Sequence, residues 1–283
     1  CLFKLSLLWR SKSVEVCGRE GDCSVPTSFL VVPLKKMRST TAVLGLHGVR
    51  PCVALGDGNV EVVVLLGGGH IAALHHFRNT SGLSSERSLN ALWTPPWPTA
   101  DPSCRRLTVA VNEDAFRTDD AATSGSDPLE SEMLACIAGH SLCFDVFGAH
   151  SVGEVTRAGM SFHGEAGLVT WSVKGVEDAA FTVGALLPQS QLGVRRRFSV
   201  RRSAADPAVS VVRVCEKIQN MTGIQRALGR AQHVSIGSEF LQGGARFASN
   251  ASRGAVWPDA DAGCAWSAGA EFDYPAIPRT DGR

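Results

Sequence analysis

Apolar residues in this chain come in short runs, either alternating with polar ones or briefly unbroken, and each run is closed by Gly, Pro, Asn or Asp. That pattern predicts strands joined by turns. Val60–Leu66 is rich in Val and Leu, and His70–Arg78 follows Gly67-Gly68-Gly69. The glycines predict a tight reversal or a bulge between these two strands. Further strands are expected at Leu107–Val111, Leu168–Lys174, Ala180–Leu187, Leu192–Val200, Ala208–Gln219, Ala231–Ile236 and Ala245–Ser249. The stretch 92–102, LWTPPWPTADP, holds four prolines. Proline removes a backbone donor and fixes φ, so this is an ordered loop whose two Trp rings must pack on something. One helix is expected. Asp127, Pro128 and Glu130 supply its cap and first turn, Met133, Leu134 and Ile137 its apolar face, and Gly139 its stop. Many short strands and few helices predict an all-β fold, a sandwich or a barrel, with one or two short helices.

Composition narrows the classes. At 283 residues with 44% hydrophobic side chains, the chain can bury a large core without metal or disulfide support. A net charge of +1 argues against a protein built around phosphate neutralisation, so no nucleic-acid partner is expected. The longest nearly apolar stretch, Val62–Leu74, is shorter than the ~20 residues of a spanning helix, so no membrane partner is expected either. Residues 1–40 contain seven Lys/Arg and three Asp/Glu, leaving 21 basic and 24 acidic residues beyond them. Residues 1–45 are expected to be a poorly ordered or non-native segment, or an organellar transit peptide. They lack the apolar core and cleavage site of a secretory signal. Residues 46–283 are expected to form one domain of a cytoplasmic protein.

Nine cysteines at irregular spacing, with no Cys-x-x-Cys, fit reduced thiols rather than a disulfide framework or a metal site. The sequons at Asn79, Asn220 and Asn250 read as chance occurrences.

The eight histidines carry the candidate chemistry. His70 and His76 would share one face of a strand, with His75 opposing them. A metal-dependent barrel enzyme using His70, His76 and a third histidine is one reading, and a polar strand end is the plainer one. His140 follows the predicted helix, where it would meet terminal carbonyls or bind substrate. His163 lies in SFHGEAG, where Gly164 permits close approach and Glu165 adds a carboxylate. His233 lies on a strand that follows the turn Asn220-Met221-Thr222.

These last features resemble the galactose mutarotase-like superfamily, the aldose 1-epimerases and their relatives. A His-Gly pair opens the central region, at His163-Gly164. Further on, a strand, an Asn-x-Thr turn and a second strand deliver another histidine, at His233. LLGGGHIAAL is similar to the family's early Gly-containing hairpin. LPQSQLGVRRRFSV and VVRVCEKIQN are similar to its paired strands. The resemblance covers roughly residues 55–278 and places the chain in an uncharacterised branch. It implies a large twisted antiparallel β-sandwich, the supersandwich of that family, with a sugar site and with neither metal nor organic cofactor. It also implies acid/base opening and closing of a sugar hemiacetal. His233 would be the acid, suited by an unperturbed pKa of ~6.5, and His163 would bond the sugar near its ring oxygen. The base in that family is a late glutamate. Glu271 is the late glutamate here, and either the chain is truncated before the family's position or this branch lacks the base. Trp97, His140 and Glu165 complete the expected substrate-binding set, and the expected partner is a small sugar or sugar derivative. The alternative is a non-catalytic carbohydrate-binding module on the same fold.

Arg195–Arg197 and Arg201–Arg202 flank FSV. They read as a solvated sheet face, and they give Ser199 the basic context of a kinase site.

Overall fold

The computed structural model describes residues 41–77, 88–102, 133–147, 163–207, 209–241, 252–256, 265–274 and 276–281. They fall into two compact units, one ending at Leu241 and one beginning after it.

The larger unit contains two antiparallel sheets. The first is built from β1 (Thr41–His47), β2 (Arg50–Gly56), β3 (Val60–Leu65), β4 (Ile71–Phe77), β6 (His140–Phe144) and β11 (Arg230–Val234), in the order β1-β2-β3-β4-β6-β11; the short β5 (Ser88–Asn90) pairs with β4. The second runs β10-β9-β8-β7, with β7 (Ser172–Glu177), β8 (Ala180–Leu187), β9 (Leu192–Arg202) and β10 (Ser210–Asn220). The all-β expectation holds at this level. β1 begins inside the segment expected to lie outside the fold. The expected strands at Leu107–Val111 and Ala245–Ser249, and the cap at Asp127–Glu130, lie outside the described residues.

Side-chain alternation explains the packing. Val53, Leu55, Val62, Val64, Leu142 and Phe144 of the first sheet share one buried cluster with Phe181, Val183, Val194, Phe198 and Val200 of the second. Along β2, β3, β6, β8 and β9 every second residue faces this core. The opposite face of the first sheet is lined by small buried residues, Cys52, Ala54, Val63, Leu65 and Ala73.

Gly67–Gly69 form the reversal between β3 and β4, with a bulge at Val63/Val64. Gly68 and Gly69 have φ of 81° and 61°, and a Cβ on Gly69 would lie 2.5 Å from the Trp171 ring. The expected helix survives as a turn at residues 133–136, and Gly139 stops it with φ 45°. After that stop the chain enters β6. This strand joins β4 through a single pair, Ile71 with His140, but pairs along its whole length with β11.

The smaller unit contains a hairpin of β12 (Arg253–Ala255) and β13 (Glu271–Asp273), closed by an exposed ion pair of Arg253 with Glu271 at 2.9 Å.

Candidate functional site

His233 sits mid-strand on β11, opposite Ser141 of β6. Its neighbours Gln232 and Val234 project to the other face. His163 comes from a separate loop, and the two rings lie 5.1 Å apart in an edge-to-face arrangement. Phe147 closes the cluster, 5.1 Å from His163 and 6.0 Å from His233. His163 is buried and His233 is half-buried.

The backbone is forced here. His163 has φ 64° and Gly164 φ 80°, and a Cβ on Gly164 would lie 2.2 Å from the Phe144 carbonyl oxygen. Only glycine allows the loop to press against β6 this closely. Among the described residues, four non-glycines have positive φ: Asp145, His163, Ala179 and Gln191. Three of them, all but Ala179, belong to this region. Such conformations cost of order 1–3 kcal/mol each and concentrate at functional sites.

A polar cleft of about 350 Å³ is lined by Asp145, Gln189, Ser190, Gln191, Thr222 and Arg226. Two short stretches of chain join it to the histidine pair. Asp145 lies two residues before Phe147, and Glu165 lies two residues after His163. Arg226 donates to both carboxylate oxygens of Asp145, at 3.0 and 2.9 Å, and to Ser190 O at 2.7 Å. The Glu165 carboxylate accepts the backbone N–H groups of Gln189 and Ser190 at 3.1 and 2.7 Å. The turn after β10 is an Asn-directed one: Asn220 Oδ1 accepts from Thr222 N and Oγ1, while its Nδ2 donates to Ile224 O.

The remaining expected site residues are placed as follows. His140 is on the core face of β6, with its Nε2–H bonded to Gln232 Oε1, so it projects away from His233. Burial, with Arg196 adding, pushes its pKa down to about 3. Gln232 in turn donates to Glu216, which also binds Arg196 and Arg230. Burial alone would raise Glu216, but Arg196, Arg230 and Gln232 outweigh it and hold the carboxyl below its ordinary range. Trp97 is 40% exposed and meets Trp93 edge-on at 5.7 Å. Their loop runs beside the end of β11, since Leu92 bridges Ile236 and Trp93 N donates to Ser235 O. Trp171 is core, its indole N–H bonded to Ala166 O. Glu271 is in the smaller unit, on the exposed pair with Arg253.

His70 is fully buried, donates from Nε2 to Gly167 O at 3.3 Å and is pushed down to about 3, mainly by burial and then by Arg50. His76 is exposed. Among the described residues no group of three His, Cys, Asp or Glu is placed to hold a metal ion. Ser199 is buried mid-strand, hydrogen-bonded between β8 and β10, which withholds it from a kinase.

Phe147, Asp145 and Arg226 were not legible in advance. Phe147 stands in AGHSLCFDVFG with no periodic signal, and the Asp145–Arg226 pairing spans 81 residues. No protein-family model matches the chain, and neither the curated proteins nor the solved structures yield a significant match.

Proposed function

We propose that the chain is an aldose 1-epimerase-like protein on a mutarotase-like supersandwich, opening and closing a sugar hemiacetal by acid/base chemistry. The observation that carries the reading is the His163–His233 pair, drawn from sites 70 residues apart and held at 5.1 Å. Anomer exchange requires one group to protonate the ring oxygen and another to take the anomeric hydroxyl proton. His233 is the acid, His163 bonds the sugar near the ring oxygen, and solvent water takes the anomeric hydroxyl proton, since the Glu165 and Asp145 carboxylates are held by backbone amides and by Arg226. The neighbouring cleft offers the carboxamides of Gln189 and Gln191 and the hydroxyls of Ser190 and Thr222, donors and acceptors of the kind that sugar hydroxyls need.

One observation favours a binding module instead. The two carboxylates beside the pair are engaged, Glu165 by two amides and Asp145 by Arg226. A missing base removes a contribution of order 10²–10⁴-fold.

Polarimetry of freshly dissolved α-D-glucose or α-D-galactose separates the readings. Faster decay of rotation, abolished by His233→Ala, supports catalysis. Saturable quenching of Trp fluorescence by sugar without faster decay supports the module. Neither effect with any common aldose overturns both.

A further inference from the structure

A net charge near zero hides an uneven distribution. On β9, Arg195, Arg197 and Arg201 alternate with buried Arg196, Phe198 and Val200, so the three point away from the core. Arg213 and Lys217 of β10 share that outer face, with Lys217 opposite Arg195. Lys174 of β7 joins them. A Cβ on Gly184 would meet Lys174 Cγ at 3.3 Å and Arg195 Cγ at 3.4 Å, so both stems lie over the same glycine. Arg197 pairs with Glu177 at 2.7 Å. Among the described residues no carboxylate pairs with Lys174, Arg195, Arg213 or Lys217.

One row further along, the face turns apolar. A Cβ on Gly193 would meet Met221 Sδ at 3.5 Å and Leu186 Cδ2 at 3.8 Å. Leu186 is 68% and Met221 53% exposed, and Ile224 in the same turn is 71% exposed. The acidic residues Glu177, Asp178 and Asp206 lie at the other end of the strands.

We propose that this end of the outer face docks on an anionic lipid bilayer, with Leu186 and Met221 entering the headgroup layer and Lys174, Arg195 and Lys217 meeting lipid phosphates. The exposed aliphatic row decides between a membrane and a nucleic acid. It gains from burial among acyl chains, whereas base stacking asks for aromatic rings, and the described residues place none on this face. The expectation of no membrane partner rested on spanning-segment length, which does not register a one-sided surface.

Co-sedimentation of the full chain with vesicles tests this. Binding is expected to phosphatidylcholine vesicles containing about 30% phosphatidylserine and not to phosphatidylcholine alone. Raising ionic strength from 0.1 to 1 M cuts the screening length from about 10 to about 3 Å and is expected to release the protein. Each surface cation contributes roughly fivefold, so Arg195→Glu with Lys217→Glu should weaken binding at least about 25-fold while circular dichroism stays unchanged. Leu186→Ser with Met221→Ser should also weaken it. No binding to the anionic vesicles overturns the proposal. So does full binding by the charge-reversed variant, which would place the contact elsewhere, such as the basic first forty residues. Tighter binding to a single-stranded oligonucleotide than to the vesicles overturns it in favour of a nucleic acid.

Discussion

Arg196 and Glu216 face each other across the β9–β10 ladder, Nε to Oε1 at 3.0 Å, with side-chain exposures of 0% and 6%. The pair ties the two sheets together. Arg196 reaches over to donate to Gly69 O at 2.8 Å, and Glu216 gathers Arg230 and Gln232 from β11. Removing one partner of a buried pair strands the other charge. Glu216→Ala is expected to cost about 3–5 kcal/mol in urea unfolding, whereas Arg196→Met combined with Glu216→Leu costs far less. Additive losses in the double variant would show that the two residues are not coupled.

Stability is expected to fall in acid before the carboxylates titrate. His70 and His140 are held neutral down to about 3, while in the unfolded chain they take protons near ~6.5. Below that value the unfolded state binds more protons than the native one. Folding then loses up to about 1.4 kcal/mol per pH unit for each ring as pH drops from 6.5 towards 3. The depressed Glu216 extends the loss at the acid end. Urea midpoints at pH 7.5, 6 and 5 measure the slope, and His140→Gln should flatten it. Equal midpoints at all three would contradict neutral buried rings.

Gly164→Ala must disrupt the histidine pair. It adds a methyl group 2.2 Å from a backbone oxygen at a residue with φ 80°. A loss of about 1–3 kcal/mol from the backbone conformation is expected, and more from the clash. Gly175→Ala is the control: no atom lies within 4 Å of its added carbon, and the change should stay within about 0.5 kcal/mol. Thermal denaturation of the two variants side by side reads the difference.

Arg50 holds the Pro-rich loop. Its guanidinium donates to Thr99 Oγ1 at 3.1 Å, Cys136 O at 2.9 Å and Gly67 O at 2.8 Å. Lysine cannot reproduce this fork. Arg50→Lys is expected to red-shift Trp emission, through Trp93 and Trp97, and to hasten proteolysis within 91–102. An unchanged spectrum and digestion pattern would mean that the loop is fixed by other contacts.

Sequence pattern was most informative where turn residues bracket a run. β8 begins and ends at the residues expected, Ala180 and Leu187. The β3–β4 reversal follows from three glycines. Patterning failed where a strand is buried on both faces, because alternation then disappears. β2 shows only one exposed position, and β6, HSLCF, is buried throughout and followed a convincing helix stop. His163 and His233 were singled out through a family resemblance, since nothing in their spacing announces a shared site.

The lone Ile71–His140 pair means that the ribbon carrying His233 is moored to its own sheet by almost no ladder. What resists its sliding is side-chain grip from across the core, where Glu216 clasps Arg230 and Gln232, together with the Leu92–Trp93 strap at the far end. Neutralising that one carboxylate would slacken the hold on the imidazole's strand while leaving every long backbone seam intact.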